Sequence, residues 1–146
     1  MANYSIREFH GKIDEWIEHA GNGIVDCVEI FCGKVQTALV KGSPVDTGRF
    51  RGNWQVTPNM PPLYALNNYD KDGSKTIAEG KRAIYAILRG GGAVRSIHFS
   101  NMLIYANALE YGHSKQAPAG VVGIVAMRLR SFMAEAIKES RAKHAL

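Results

Sequence analysis

Ile6, Phe9, Ile13, Trp16, Ala20, Ile24, Cys27, Phe31, Val35 and Ala38 recur at alternating steps of three and four. That spacing keeps one apolar stripe on one side of an α-helix for about nine turns. The remainder of a 146-residue chain can hardly cover a helix of that length. Part of the stripe is therefore expected to meet a neighbouring subunit. Ser5 stands where a cap would start the helix. Gly21-Asn22-Gly23 interrupt the stripe's chemistry but not its phase, which leaves room for a kink or a break. Lys41-Gly42-Ser43-Pro44 place Gly and Pro where a C-terminal stop is expected.

Beyond that stop the period changes. Phe50, Gly52, Trp54 and Val56 alternate with Arg49, Arg51, Asn53 and Gln55, the pattern of a half-buried strand. Pro58, Pro61 and Pro62 close it, and the loop "NMPPLYALNNYDKDGSK" follows. Residues 76–88 predict a short helix with Ile77, Ala83, Ile84, Ile87 and Leu88 as its apolar positions. "RGGGAVR" breaks that helix and reads as a flexible connector. Ile97 and Phe99 alternate with Ser96, His98 and Ser100 as a second strand. "YANALEYG" reads as a helical turn ended by Gly112, and Pro118 is well placed to open a last helix. From Val121 that helix carries Val121, Val125, Leu129, Phe132 and Ala136, and its tail "ESRAKHAL" is expected to fray.

The expected fold is α+β, with long N-terminal and C-terminal helices packed on a small antiparallel β-sheet. It forms one domain over 1–146. The long helix occupies 1–41. A turn, the strands and a variable middle with a short helix fill 42–101, and a corner motif with the C-terminal helix fills 102–146. Hydrophobic residues at 46% and charged residues at 21% are ordinary for a globular protein and argue against wholesale disorder. No apolar run approaches the roughly 18 to 20 residues that a membrane span needs. "MANYSIREFHGK" lacks the basic-then-apolar order of a signal peptide. A soluble protein kept in a cytoplasm, without a membrane partner, is expected.

Lys and Arg total 18 against 13 Asp and Glu, a net charge of +5. A mild positive potential favours company with DNA or an acidic protein surface without naming either. Arg49 and Arg51, with Asn53 and Gln55, would form a polar, cationic strip on the strand's outer face. Three uses stay open for it: a solvated face, a subunit contact through bidentate Arg–carboxylate pairing, or a DNA backbone contact.

Catalytic readings fare poorly. Asp46-Thr47-Gly48 spells the aspartic-protease triplet, but that triplet lies in an all-β domain where two copies share a proton. Here it follows a helix stop and precedes Arg49. A turn explains it better, with Asp46 accepting nearby backbone N–H groups and Gly48 at positive φ. The histidines are dispersed, and Glu110 beside His113 is a weak pairing for a metal or a hydrolase. "DGSKT" lacks the earlier glycine of a phosphate loop, and "RGGGA" is no Rossmann turn. Cys27 and Cys32 would point to different faces of the helix and read as small apolar residues. No catalytic, metal-binding or cofactor-binding residue is expected, and no enzymatic activity.

Two stretches carry a resemblance: "SPVDTGRFRGNW" (43–54) and "YANALEYGHSKQAPAGVV" (105–122), in that order around a variable middle. Together they resemble the tailed-bacteriophage minor tail and head–tail joining family, which includes the tail-completion proteins called minor tail protein Z. The matching positions are Pro44, Val45, Asp46, Thr47, Gly48, Arg51 and Trp54, then Tyr105, Ala106, Leu109, Glu110, Tyr111, Gly112, Ser114, Gln116, Pro118, Ala119 and Gly120. Phe50 stands where leucine is more usual. The resemblance implies a structural virion protein that forms a homo-oligomeric ring at the head–tail junction (neck or tail completion), with DNA in its lumen. Its partners would be the tail tube or a tail-terminator protein and a head-closure or connector protein. DNA contact, if any, would be non-specific and to the backbone. The alternative is an independent basic nucleic-acid-binding module. The expected structural or interface residues are Asp46, Thr47, Gly48, Arg49, Arg51, Trp54, Glu110, Tyr111, Gly112, Gln116 and Pro118. Asp46 and the Glu110-Tyr111-Gly112 corner are expected to form one cluster in which Arg51 pairs with a carboxylate.

Overall fold

A computed structural model describes residues 6–144, and the side chains of its first helix from residue 21 onward. The proposed Ser5 cap and the side chains of the stripe from Ile6 to Ala20 lie outside those described. Helix α1, Ile6–Gly42, runs without a break through Gly21-Asn22-Gly23. At the α-helical rise its 37 residues span about 55 Å. It ends at the glycine where the sequence places the stop.

The strand expected from Arg49 begins later. Residues 51–53 form a single 3-10 turn, and β1 occupies only Trp54–Pro58. The alternation from Arg49 to Asn53 is thus not that of a strand, because the polar side chains do not face solvent. Asn53 is completely buried. Its amide donates to the Arg49 carbonyl at 2.6 Å, and its oxygen accepts the Leu66 N–H at 2.7 Å. Strand β2, Ile97–Asn101, pairs antiparallel with β1 in the register Trp54 to Asn101, Val56 to Phe99 and Pro58 to Ile97. Between them lies α2, Ser74–Arg89, two residues longer at its start than the apolar pattern predicts.

After β2 come α3, Ala106–Glu110, α4, Val122–Ala126, and α5, Leu129–His144. The single last helix expected from Pro118 is therefore two helices, separated at Met127-Arg128, and Pro118 sits in the loop before them. The tail expected to fray is helical to His144 and tied to α1. Ser140 Oγ donates to the Gly23 carbonyl at 2.7 Å. Asp26, on α1 and only 6% exposed, meets Arg89 of α2 at 2.5 Å, Lys143 at 3.3 Å, and the His144 ring. The His144 contact, helped by Lys143, outweighs burial and holds the Asp26 carboxyl below its ordinary value. Lys34 of α1 adds ion pairs to Glu135 and Glu139 of α5.

The core gathers Val35, Leu39 and Val40 from α1, Phe50 and Trp54 from the first motif, and Leu103, Ala117, Val121, Val125 and Phe132 from the C-terminal third. Among the described side chains the stripe reaches it through Phe31, Val35 and Ala38, while Ile24 is 65% exposed. Cys27 and Cys32 are free thiols, and burial pushes Cys32 up to about 11.

Helix α2 is started by Asp70, which the composition of its loop had not singled out. One Asp70 oxygen accepts the Gly73 N–H at 3.1 Å, and the other accepts the N–H and hydroxyl of Thr76, each at 2.7 Å. The backbone donors that a phosphate would use at "DGSKT" already hold this carboxylate. Removing it orphans a buried hydroxyl and two amides, so Asp70→Ala should cost about 2 to 3 kcal/mol of unfolding free energy. Urea denaturation reads this directly, and Asp70→Asn should recover only part of the loss.

Candidate interaction surface

The two motif blocks, more than fifty residues apart in the chain, form one unit. Gln116 joins them: its Nε2 donates to the Val45 carbonyl at 2.9 Å, and its Oε1 accepts the Val45 N–H at 2.8 Å. The pair imitates one rung of a β-ladder, with a side-chain amide in place of a strand. The Phe50 ring lies 5.8 Å edge-on from Trp54 and 6.4 Å from Tyr105, so the same junction is apolar underneath.

Within the first block the turn is built by Gly48 and Thr47. Gly48 has φ +86, and a Cβ there would stand 2.6 Å from the Lys71 backbone nitrogen, so no side chain fits. Its carbonyl accepts the N–H groups of Gly52 and Asp70. Thr47 Oγ1 accepts the Arg49 N–H at 3.3 Å. The hydroxyl, not the expected Asp46 carboxylate, makes this turn bond, and Asp46 is exposed. Trp54 is buried, and its indole N–H donates to Ser43 Oγ at 2.7 Å; Ser43 in turn donates to the Leu39 carbonyl.

Arg51 does not pair with a carboxylate. Its guanidinium donates to three backbone carbonyls: Lys71 at 2.8 Å, Ser43 at 2.9 Å and Lys41 at 3.1 Å. Lys41 lies in the last turn of α1 and Ser43 just past its end, where the last carbonyls lack helical partners and the helix dipole is negative. A cation with planar, divergent donors satisfies that site better than any carboxylate would satisfy the cation. The expected cationic strip is absent for the same reason. Arg51 turns in to the helix end, Asn53 is buried, and Gln55 donates to the Tyr64 carbonyl.

Glu110 has its own task. Its Oε1 accepts the N–H groups of Val121 and Val122 at 2.9 and 2.7 Å, and its Oε2 accepts that of Gly123 at 2.9 Å. It is an N-terminal cap for α4 delivered from another helix. Burial works to raise its carboxyl, but the three backbone bonds together prevail and leave it below the ordinary value. Gly112, at φ +86, turns the chain so closely that a Cβ would lie 2.5 Å from the Pro118 carbonyl oxygen. Glu110 and Arg51 therefore belong to two separate locks rather than one cluster. Tyr111 points away from both and is 81% exposed.

Around the Gln116 bridge opens a cleft of about 420 Å³, lined by Asp46, Arg49, Phe50, Tyr105, His113 and Lys115 among others. Exposed apolar side chains mark two further stretches. The loop after β1 carries Met60, Leu63, Tyr64, Leu66 and Tyr69, and the corner after β2 carries Met102, Ile104 and Tyr111. Ile104 is 98% exposed. The loop's patterning gave no such signal, because nothing in a proline-rich run says which side chains find cover. Among the described residues no group of three or more His, Cys, Asp or Glu side chains could hold a metal ion, and no helix is long and apolar enough to cross a membrane.

No family model, no curated protein and no solved structure matches this chain.

The Glu110 carboxyl is depressed in the folded protein, so its stabilisation is complete above the unfolded carboxyl value. It is lost as pH falls through the lower folded value. Glu110→Gln should unfold more easily than the parent by about 1 to 2 kcal/mol at neutral pH. The two should converge as pH falls well below the ordinary glutamate value and the parent's carboxylate is itself protonated. Denaturant midpoints across that pH range check both statements.

Proposed function

We propose that this protein is a structural component of a phage head–tail junction, of the neck or tail-completion kind, which works by assembling with copies of itself into a ring and docking on tail and head proteins. The observation that carries the reading is the apolar surface left open on the loop after β1 and on the corner after β2. Single exposed apolar residues are ordinary, but runs of them held on ordered loops mark contact sites. Ile24, exposed on α1, adds a third such place.

The resemblance of the two motif blocks supports the same reading, and their junction gives those blocks a physical task. The second block supplies Gln116, which satisfies the first block's backbone at Val45 and ties down the corner from which Ile104 and Tyr111 project. A ring subunit requires such rigid corners and no reactive group. The net charge of +5 suits a protein that stands beside DNA without reading its sequence.

Light scattering on purified protein should give a particle mass several times the 16.0 kDa of one chain, with closed rings in negative-stain images. The combined substitution Leu63→Ser, Tyr64→Ser and Ile104→Ser should lower that mass to the monomer's while leaving the far-ultraviolet dichroism unchanged. A single-chain mass at every concentration, with or without tail-tube protein or duplex DNA, contradicts the proposal.

A further inference from the structure

Arg49 is the unused cation of the motif surface. Its backbone N–H and carbonyl are engaged by Thr47 and Asn53. Its guanidinium has no hydrogen bond or ion pair among the described residues; its Nε is shut off from solvent without an acceptor, as is that of Arg51, whose terminal nitrogens are nonetheless bonded. Its terminal nitrogens, unlike those of Arg51, meet no carbonyl, and left unpaired beside a cleft they offer side-by-side donors to an acceptor from outside the chain. Arg49 lines the cleft beside the Gln116 bridge, with Lys115 and His113 on the opposite block.

We propose that this cleft is an oxyanion site that receives the carboxylate of an acidic side chain from another polypeptide. The lining favours a carboxylate over phosphate. Asp46 stands in the same cleft, so Arg49 and Lys115 carry only one positive charge in excess of it. A single carboxylate neutralises that excess, whereas a phosphate dianion would leave the cleft negative. A DNA backbone, with its regular charges, requires a run of cations that this cleft does not present. Phe50, Tyr105 and Leu109 form an apolar wall suited to the methylene stem of a glutamate. The planar guanidinium offers the paired donors that a carboxylate accepts side by side. The site rests on this geometry and not on the virion role; that role would make a ring neighbour or a docked tail or head protein the donor of the acid.

The test is a titration of the full chain with the amide of N-acetylglutamate, followed through the Arg49 Nε–H and the Gly48 and Ser114 amide resonances. Sodium phosphate and a short DNA duplex serve as parallel probes at matched ionic strength. Saturable shifts at all three positions are expected, with phosphate and duplex about tenfold weaker. Arg49→Gln should abolish the Gly48 and Ser114 response, and Arg49→Lys should weaken it about tenfold, both with unchanged unfolding midpoints. No saturable response to the acid, an undiminished response in Arg49→Gln, or tighter binding of phosphate or duplex would each overturn the proposal. Binding by a protein that never assembles leaves the oxyanion site standing and removes the ring reading; rings that form without acid binding do the reverse.

Discussion

A helix of 37 residues has to end somewhere, and the last turn of α1 is held by Arg51 together with Ser43. The Arg51 guanidinium collects the carbonyls of Lys41, Ser43 and Lys71. These come from the helix end, from the turn after it, and from the loop that precedes α2. Three segments with no reason to meet on hydrophobic grounds are brought to one point. Everything nearby depends on that point. Gly73 lies against the Arg51 stem and Val40, with no room for a Cβ, and the Gly48 turn packs on the backbone at Asp70 and Lys71. Trp54 then reaches Ser43 from beneath.

The same device recurs across the motif surface. Gln116 serves the backbone of Val45, Glu110 serves the backbone of Val121 to Gly123, and Asp70 serves that of Gly73 and Thr76. In each case a side chain satisfies backbone groups that a helix end or a turn would otherwise leave bare. Such bonds fix position more strictly than apolar contact does, because they are directional. They leave Ile104 and Tyr111 exposed and the terminal nitrogens of Arg49 unbonded.

The helices were legible in the sequence because burial there follows a period. Apolar spacing located α1 and its end, α2 to within two residues, and the strand at Ile97. Arg51 and Asn53 misled for a physical reason. Alternation with apolar neighbours reads as a solvent-facing row, yet both side chains turn inward to carbonyls, which no periodicity reports. Glu110 was singled out, but its role was not legible. Capping signatures are local, and its amides lie eleven to thirteen residues on. The break at Met127-Arg128 is not marked by proline or glycine, and the apolar period passes through it unchanged. The pairing of the two blocks through Gln116 left no pattern at all; only the shared resemblance of both stretches pointed to it.

The central claim is that Arg51 acts through the geometry of its donors and not through charge alone, and equilibrium unfolding of Arg51→Lys beside Arg51→Ala tests it most directly. Three charge-assisted bonds, partly open to solvent, should together be worth about 2 to 4 kcal/mol. The alanine variant should lose that amount. The lysine variant should recover less than half of it, since one ammonium on a flexible stem cannot serve three divergent carbonyls. A lysine variant as stable as the parent, or an alanine variant that loses nothing, would contradict the account.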